Sequence, residues 1–184
     1  MMSTDHEGLE ARLAQLEKRL RHIEDERDIA RLIASYGPSV DAADAEGAAS
    51  LWSADGTYDV EGWLMSGRED IAAMVGSDGH RRLVANGCCH FLGPAVVTVD
   101  GDDAVAGCVS LVVLRAADGY PERESGATAH DLPAPGYVVW RAAANHFRLH
   151  RIDDRWQIVA RRSRLLGNPE AQQLLTAGVA GQAE

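Results

Sequence analysis

The chain is poor in positive charge. Lysine and arginine total 18 against 28 aspartates and glutamates, a formal net charge of −10. With no basic surplus to neutralise phosphates, a general nucleic-acid binder is excluded. No apolar run is long enough to cross a bilayer, and the polar, acidic N-terminus has no apolar signal-peptide core, so no membrane partner is expected. Cysteine is scarce as well: Cys88, Cys89 and Cys108 all fall in strand-like runs. That usage suits buried, reduced thiols in a cytoplasmic protein rather than a disulfide framework. No GxGxxG follows a strand, and there is no Walker loop or serine nucleophile elbow. Metal-ligand spacing is missing too. His146 and His150 lie four apart in a strand, about 13 Å, and Cys88, Cys89 and His90 are consecutive, so alternate side chains point to opposite faces. No metal and no cofactor is expected.

At 184 residues, 46% hydrophobic and 25% charged, the chain is long enough for one domain with a real core. We divide it into an N-terminal helical extension (1–24), a main domain (25–168) and a C-terminal tail (169–184). Residues 1–8 read as frayed. Leu9, Leu13, Leu16, Leu20 and Ile23 repeat in a four-three spacing, a seam about two heptads long. Ile29, Leu32, Ile33 and Tyr36 form a new helical face, which Gly37-Pro38 should end or sharply bend. Asp44 suits the N-cap of the next helix, running through Ala48, Leu51 and Trp52. Asp41 is then left without a capping duty.

Thr57 to Val60 reads as a short strand, Gly62 to Gly67 as a turn or hairpin tip, and Ile71 and Met74 as helical. Gly76 to Gly79 reads as a loop, with Arg81 to Ala85 short and helical or irregular. A strand from Cys88 to Val99 turns at Asp100-Gly101 and returns through Ala104 to Leu114; Asp-Gly between two β-branched runs is a hairpin signal. Residues 116–135, rich in proline and glycine, form a long connection, either a lid, a subunit contact or a mobile segment. Tyr137 to Arg151 is a long strand that turns at Asp153-Asp154 and pairs with Trp156 to Leu166. A short helix and a tail follow. The cluster Arg161, Arg162 and Arg164 lies beside an apolar strand and reads as local. Helices followed by long hairpins predict an α+β fold with a strongly curved antiparallel sheet.

The candidate chemistry is acid–base. His90, flanked by apolar residues, must be paired, wetted by a pocket or kept neutral, and it can exchange a proton near neutral pH. Taken singly, His90 reads as a satisfied core residue, Asp41 as a turn residue and Tyr36 as core. A site requires the three to meet in one cavity.

Several runs together resemble the SnoaL-like branch of the nuclear transport factor 2-like superfamily over roughly residues 25–168. They are Ile29…Tyr36…Val40-Asp41-Ala42-Ala43-Asp44…Leu51-Trp52, His90-Phe91-Leu92-Gly93, Val99-Asp100-Gly101-Asp102, and Asn145-His146-Phe147-Arg148-Leu149-His150-Arg151-Ile152-Asp153-Asp154-Arg155-Trp156. The resemblance implies a cone-shaped fold, the curved sheet wrapped around N-terminal helices with a deep apolar pocket. It is nearest to that branch's lyases: scytalone dehydratases, bile acid 7α-dehydratases and hexachlorocyclohexane dehydrochlorinases. Their working His-Asp dyad carries over to His90 and Asp41, a tyrosine to Tyr36 and a pocket asparagine to Asn145. Other positions depart. Two tyrosines of the scytalone enzymes fall at Val40 and Val60, their second histidine near Arg115, and the bile acid enzymes' second aspartate near Val113.

The resemblance therefore implies a lyase, dehydratase-like, in which His90, oriented by Asp41, removes a carbon-bound proton from a small hydrophobic, cyclic substrate. Tyr36 would assist, and Tyr58, Asn145, Arg115, Trp63 and Phe147 are the candidate substrate-binding residues. An isomerase or polyketide cyclase of the same fold is the alternative. A non-catalytic binding or assembly module is another, favoured if Trp52, Trp63, Phe147 and Leu149 fill the cavity. The uncovered seam and the outer face of the long strand call for self-association, and the resemblance implies a homodimer or homotrimer.

Overall fold

The computed structural model describes residues 2–116 and 136–183; nearly all of the long connection at 116–135 lies outside the described residues. The chain opens with one 40-residue helix, α1 (Met2–Asp41). Its backbone is helical from Met2, where fraying was expected. Leu9, Leu13, Leu16, Leu20 and Ile23 are all exposed, whereas Ile29, Ile33, Tyr36 and Val40 are buried. The two apolar patterns thus belong to a single helix, of which only the second half enters the core.

Gly37-Pro38 does not end that helix. Proline removes one amide donor and crowds the preceding turn, but here only three residues follow it. The last turn is closed by Ala42, which donates to the Pro38 carbonyl at 3.0 Å, and is fastened from outside by His90, whose backbone N–H donates to Asp41. The chain then reverses at Ala43, which has a φ of 55°.

Asp44 caps α2 (Ala45–Ser50) as predicted, its carboxylate accepting the Gly47 N–H at 2.8 Å. The helix is shorter than predicted. Trp52 instead opens β1 (Trp52–Val60). The predicted turn at 62–67 shrinks to Glu61-Gly62, and Trp63–Ser66 forms β2, antiparallel to β1. Then come α3 (Gly67–Val75) and α4 (Asp78–Ala85), the latter capped by Ser77, whose Oγ accepts the His80 N–H.

The first arm of the central hairpin is broken into β3 (Cys89–Leu92) and β4 (Val96–Asp100), both antiparallel to β5 (Asp103–Arg115). The break falls at Gly93-Pro94, where proline has no N–H for the ladder. The long hairpin of β6 (Tyr137–Ile152) and β7 (Arg155–Leu165) turns at Asp153-Asp154, both with positive φ, as a two-residue hairpin requires. The sheet order is β2-β1-β7-β6-β5-β3, with β4 also on β5. Its pairs are antiparallel except β1 with β7, which run parallel.

On the inner face of the sheet, Ala106, Cys108, Phe147 and Leu149 join Ile29, Ile33 and Val40 in the core. The tail folds as α5 (Pro169–Ala180), capped by Asn168 at its start and by left-handed Gly181 at its end. It lies on the opposite face, where Ala144 packs with Ala171 and Leu174. The approach is close enough that a Cβ on Gly107 would lie 2.9 Å from the Gly178 Cα. Among the described residues, no helix is long and apolar enough to cross a membrane.

Candidate active site

The end of α1 and the start of β3 meet edge to edge, bringing Asp41 to His90. One carboxylate oxygen accepts the His90 backbone N–H at 2.8 Å, and the other is 2.7 Å from His90 Nδ1. An ionised carboxylate only accepts, so Nδ1 carries the hydrogen and Nε2 keeps its lone pair. Gly37 permits this approach, because a Cβ there would collide with the His90 carbonyl oxygen.

His90 lines a cavity of about 270 Å³. Apolar walls come from Met65, Met74, Leu83 and Leu92, with Trp63 and Trp140 among its lining residues. Tyr36 and Tyr58 are buried side by side, their rings 6.1 Å apart and edge-on. Burial, with Tyr58 beside it, pushes the Tyr36 phenol far above its usual range, against the pull of Arg161. It is a proton donor rather than a base.

Two further polar groups were not singled out from the sequence. Arg161, 2% exposed, stacks over Tyr36, Tyr58 and Phe147, with Cζ 4.3, 4.4 and 5.1 Å from the ring centres. Its Nε and Nη2 donate to Asn145 Oδ1 at 3.1 and 2.8 Å, while Nη1 is buried without a hydrogen-bond partner. The alternation of β7 hid it. Trp156 and Ile158 are inward; a register shift then skips Val159, so that Arg161 and Ser163 become inward. His80 falls between the loop at 76–79 and the short piece at 81–85 that the sequence predicts, and in the structure it lies in α4. Its ring stands 5.6 Å from that of His90 and lines the same cavity. Nδ1 lies 3.0 Å from the Val75 carbonyl and must donate to it, which leaves Nε2 a buried acceptor without a partner. Burial, then the neighbouring His90, hold the His80 imidazole below its usual range.

The other sequence candidates divide. Tyr36, Tyr58 and Trp63 line the cavity, as does Val60 at a departed position. Asn145 does not; fully buried, it donates to Ser110 Oγ at 2.8 Å and fixes Arg161. Phe147 is a core residue, 0% exposed. Arg115 is exposed at the end of β5, outside the cavity lining. Trp52 and Leu149 are core, and the hollow stays open.

Asp41, Cys88 and His90 also bring three potential metal-ligand atoms within 4.8 Å of one another. Cys88 and His90 do share a face, with Cys89 between them on the other. Burial and then the Asp41 charge push the Cys88 thiol up to about 11.

A SnoaL-like domain profile matches residues 21–162. The chain belongs to the SnoaL-like family. Among solved structures, this SnoaL-like chain is 41% identical to a nuclear transport factor 2-like protein with a cystatin-like fold from Novosphingobium aromaticivorans. That likeness covers 89% of this chain and 96% of the other, with a TM-score of 0.75. A protein of unknown function from Mycobacterium tuberculosis is 22% identical over 92% and 97% of the two chains, TM-score 0.62. A provisionally named scytalone dehydratase from Novosphingobium aromaticivorans is 17% identical over 78% and 85%, TM-score 0.59. These two show the fold alone. Among curated proteins none matches.

Proposed function

We propose that this SnoaL-like protein is a cofactor-independent lyase that eliminates water from a small, hydrophobic, cyclic β-hydroxy ketone. The observation that carries the proposal is the two-point hold of Asp41 on His90 at the edge of an apolar cavity. A carboxylate that takes both the backbone and the ring hydrogen fixes the tautomer and stabilises the imidazolium formed when Nε2 accepts a proton. The proton comes from the carbon next to the carbonyl. Its electron pair moves onto the carbonyl oxygen, where Arg161 Nη1 and the Tyr36 phenol hold the developing enolate. When the enolate collapses, the β-hydroxyl leaves and takes the proton back from His90 as water. Returning that proton to another carbon instead would make the same residues an isomerase.

The test is a panel of cyclic β-hydroxy ketones, followed by the absorbance of the conjugated enone. The wild type is expected to turn over at least one of them. His90→Ala and Asp41→Asn should each lower the rate by about a thousandfold or more with unchanged circular dichroism. Full activity in either variant removes the dyad from the chemistry.

A further inference from the structure

The first half of α1 carries a continuous apolar stripe that no described residue covers, although Arg19, Ile23 and Glu24 face the turns at Asp100-Gly101-Asp102 and Asp154 across an open hollow. Leu9, Leu13, Leu16, Leu20 and Ile23 are 53–65% exposed, in the four-three spacing of a coiled-coil seam. A lone amphipathic helix of this length is marginal in water, so the stripe calls for a partner. The charges beside it say which.

With Leu13 and Leu20 at the a positions and Leu9, Leu16 and Ile23 at d, the flanking g positions are Arg12 and Arg19. The flanking e positions are Glu10, Glu17 and Glu24. In parallel chains, g faces the e of the next heptad on the partner. Arg12 then meets Glu17 of a second copy, and Arg19 meets Glu24. Both contacts are of opposite sign, and symmetry repeats them on the other side. Antiparallel chains would set arginine against arginine and glutamate against glutamate. The helix itself uses none of these four charges. Among the described residues, its own ion pairs in this stretch are His6 with Glu10 at 3.2 Å and His22 with Glu26 at 3.3 Å.

The base of this stretch is rigid. Asp25 accepts from Trp156 Nε1 at 3.1 Å and pairs with Arg151 at 2.7 Å, so the seam leaves the core at a set angle. We infer that residues 9–24 dock onto the same segment of a second copy of this chain, side by side and parallel, as a short two-heptad coiled coil.

Charge exchange in the full chain tests this, read as mass by sedimentation at low salt. The Arg12→Glu/Arg19→Glu variant and the Glu17→Arg/Glu24→Arg variant each replace attraction by repulsion. Each should self-associate at least about tenfold more weakly than wild type, and an equimolar mixture should recover the association. Orientation is read separately. In a Cys89→Ser background, Leu13→Cys should form an interchain disulfide on mild oxidation, since parallel chains bring the two copies of position 13 together. Antiparallel chains would face Leu13 with Ile23. A monomeric wild type, charge variants that assemble as the wild type does, a mixture that fails to recover association, or no cross-link would each overturn the inference.

Discussion

Asp41 stands where a carboxylate is least welcome, in the last turn of a 40-residue helix whose unpaired carbonyls already present negative charge. Two donors from His90 offset that placement. No capping duty explains the residue, which is why its lack of a structural role in the sequence was informative. The pairing with His90, 49 positions away, could be inferred only through the family resemblance. The opposite wall was not legible. Arg161 faces inward because β7 slips register near Val159, and alternation cannot show a bulge. Asn145, assigned to the substrate by resemblance, instead spends both ends of its amide on protein, one on Arg161 and one on Ser110 and the Ala143 carbonyl. Arg161→Lys tests that wall. It keeps the charge and loses the planar fork, so Asn145 Oδ1 loses a partner and the group facing the cavity is misplaced. The expected outcome is a drop of about a hundredfold in kcat/KM and a loss of about 1–2 kcal/mol of stability. Steady-state kinetics and urea unfolding would measure them.

Among the elements, the contact between α1 and β3 carries the site, and Gly37 sets its distance. Gly37-Pro38 read as ending or sharply bending the helix, and the first of these fails. The break that proline would cause falls one turn before the end, and that turn is anchored to another element. Local propensity cannot register such an anchor. The hairpins were the most legible part, because Asp100-Gly101 and Asp153-Asp154 announce their turns chemically. The interruption at Gly93-Pro94 and the strand at 63–66 were missed, one hidden inside an apolar run and one inside glycine punctuation. Gly37→Ala is the sharp test at this scale. Its Cβ would meet the His90 carbonyl oxygen, which belongs to backbone and has little freedom to yield. Stability should fall by about 1–3 kcal/mol, and the proposed activity should fall further than stability alone explains, because Asp41 and His90 are displaced together. Gly178→Ala is the control. It disturbs the α5–β5 contact on the outer face and should reduce stability while leaving turnover by the folded fraction unchanged.

For the molecule as a whole, a buried histidine and a salt-bridged aspartate shape how acid unfolds it, in two separate windows. His80 has its imidazole lowered from the usual 6.5 by burial and then by His90. The unfolded chain therefore binds a proton that the folded one resists. Stability is complete above 6.5 and falls as the pH drops below it, towards the lowered folded value. Asp59 behaves differently. Its bidentate contact with Arg164, at 2.9 and 2.7 Å, holds its carboxyl below the usual 3.8. Its contribution is complete above 3.8 and is lost progressively as the pH falls from there towards the depressed folded value. Urea midpoints measured from pH 8 to pH 2.5 should thus decline gently from about 6.5 and more steeply below about 4. His80→Gln should flatten the first decline and leave the second. Asp59→Asn should lower the midpoint at neutral pH and flatten the second decline. If His80→Gln leaves the slope between pH 6.5 and 5 unchanged, the buried imidazole is not what the folded cavity wall keeps neutral.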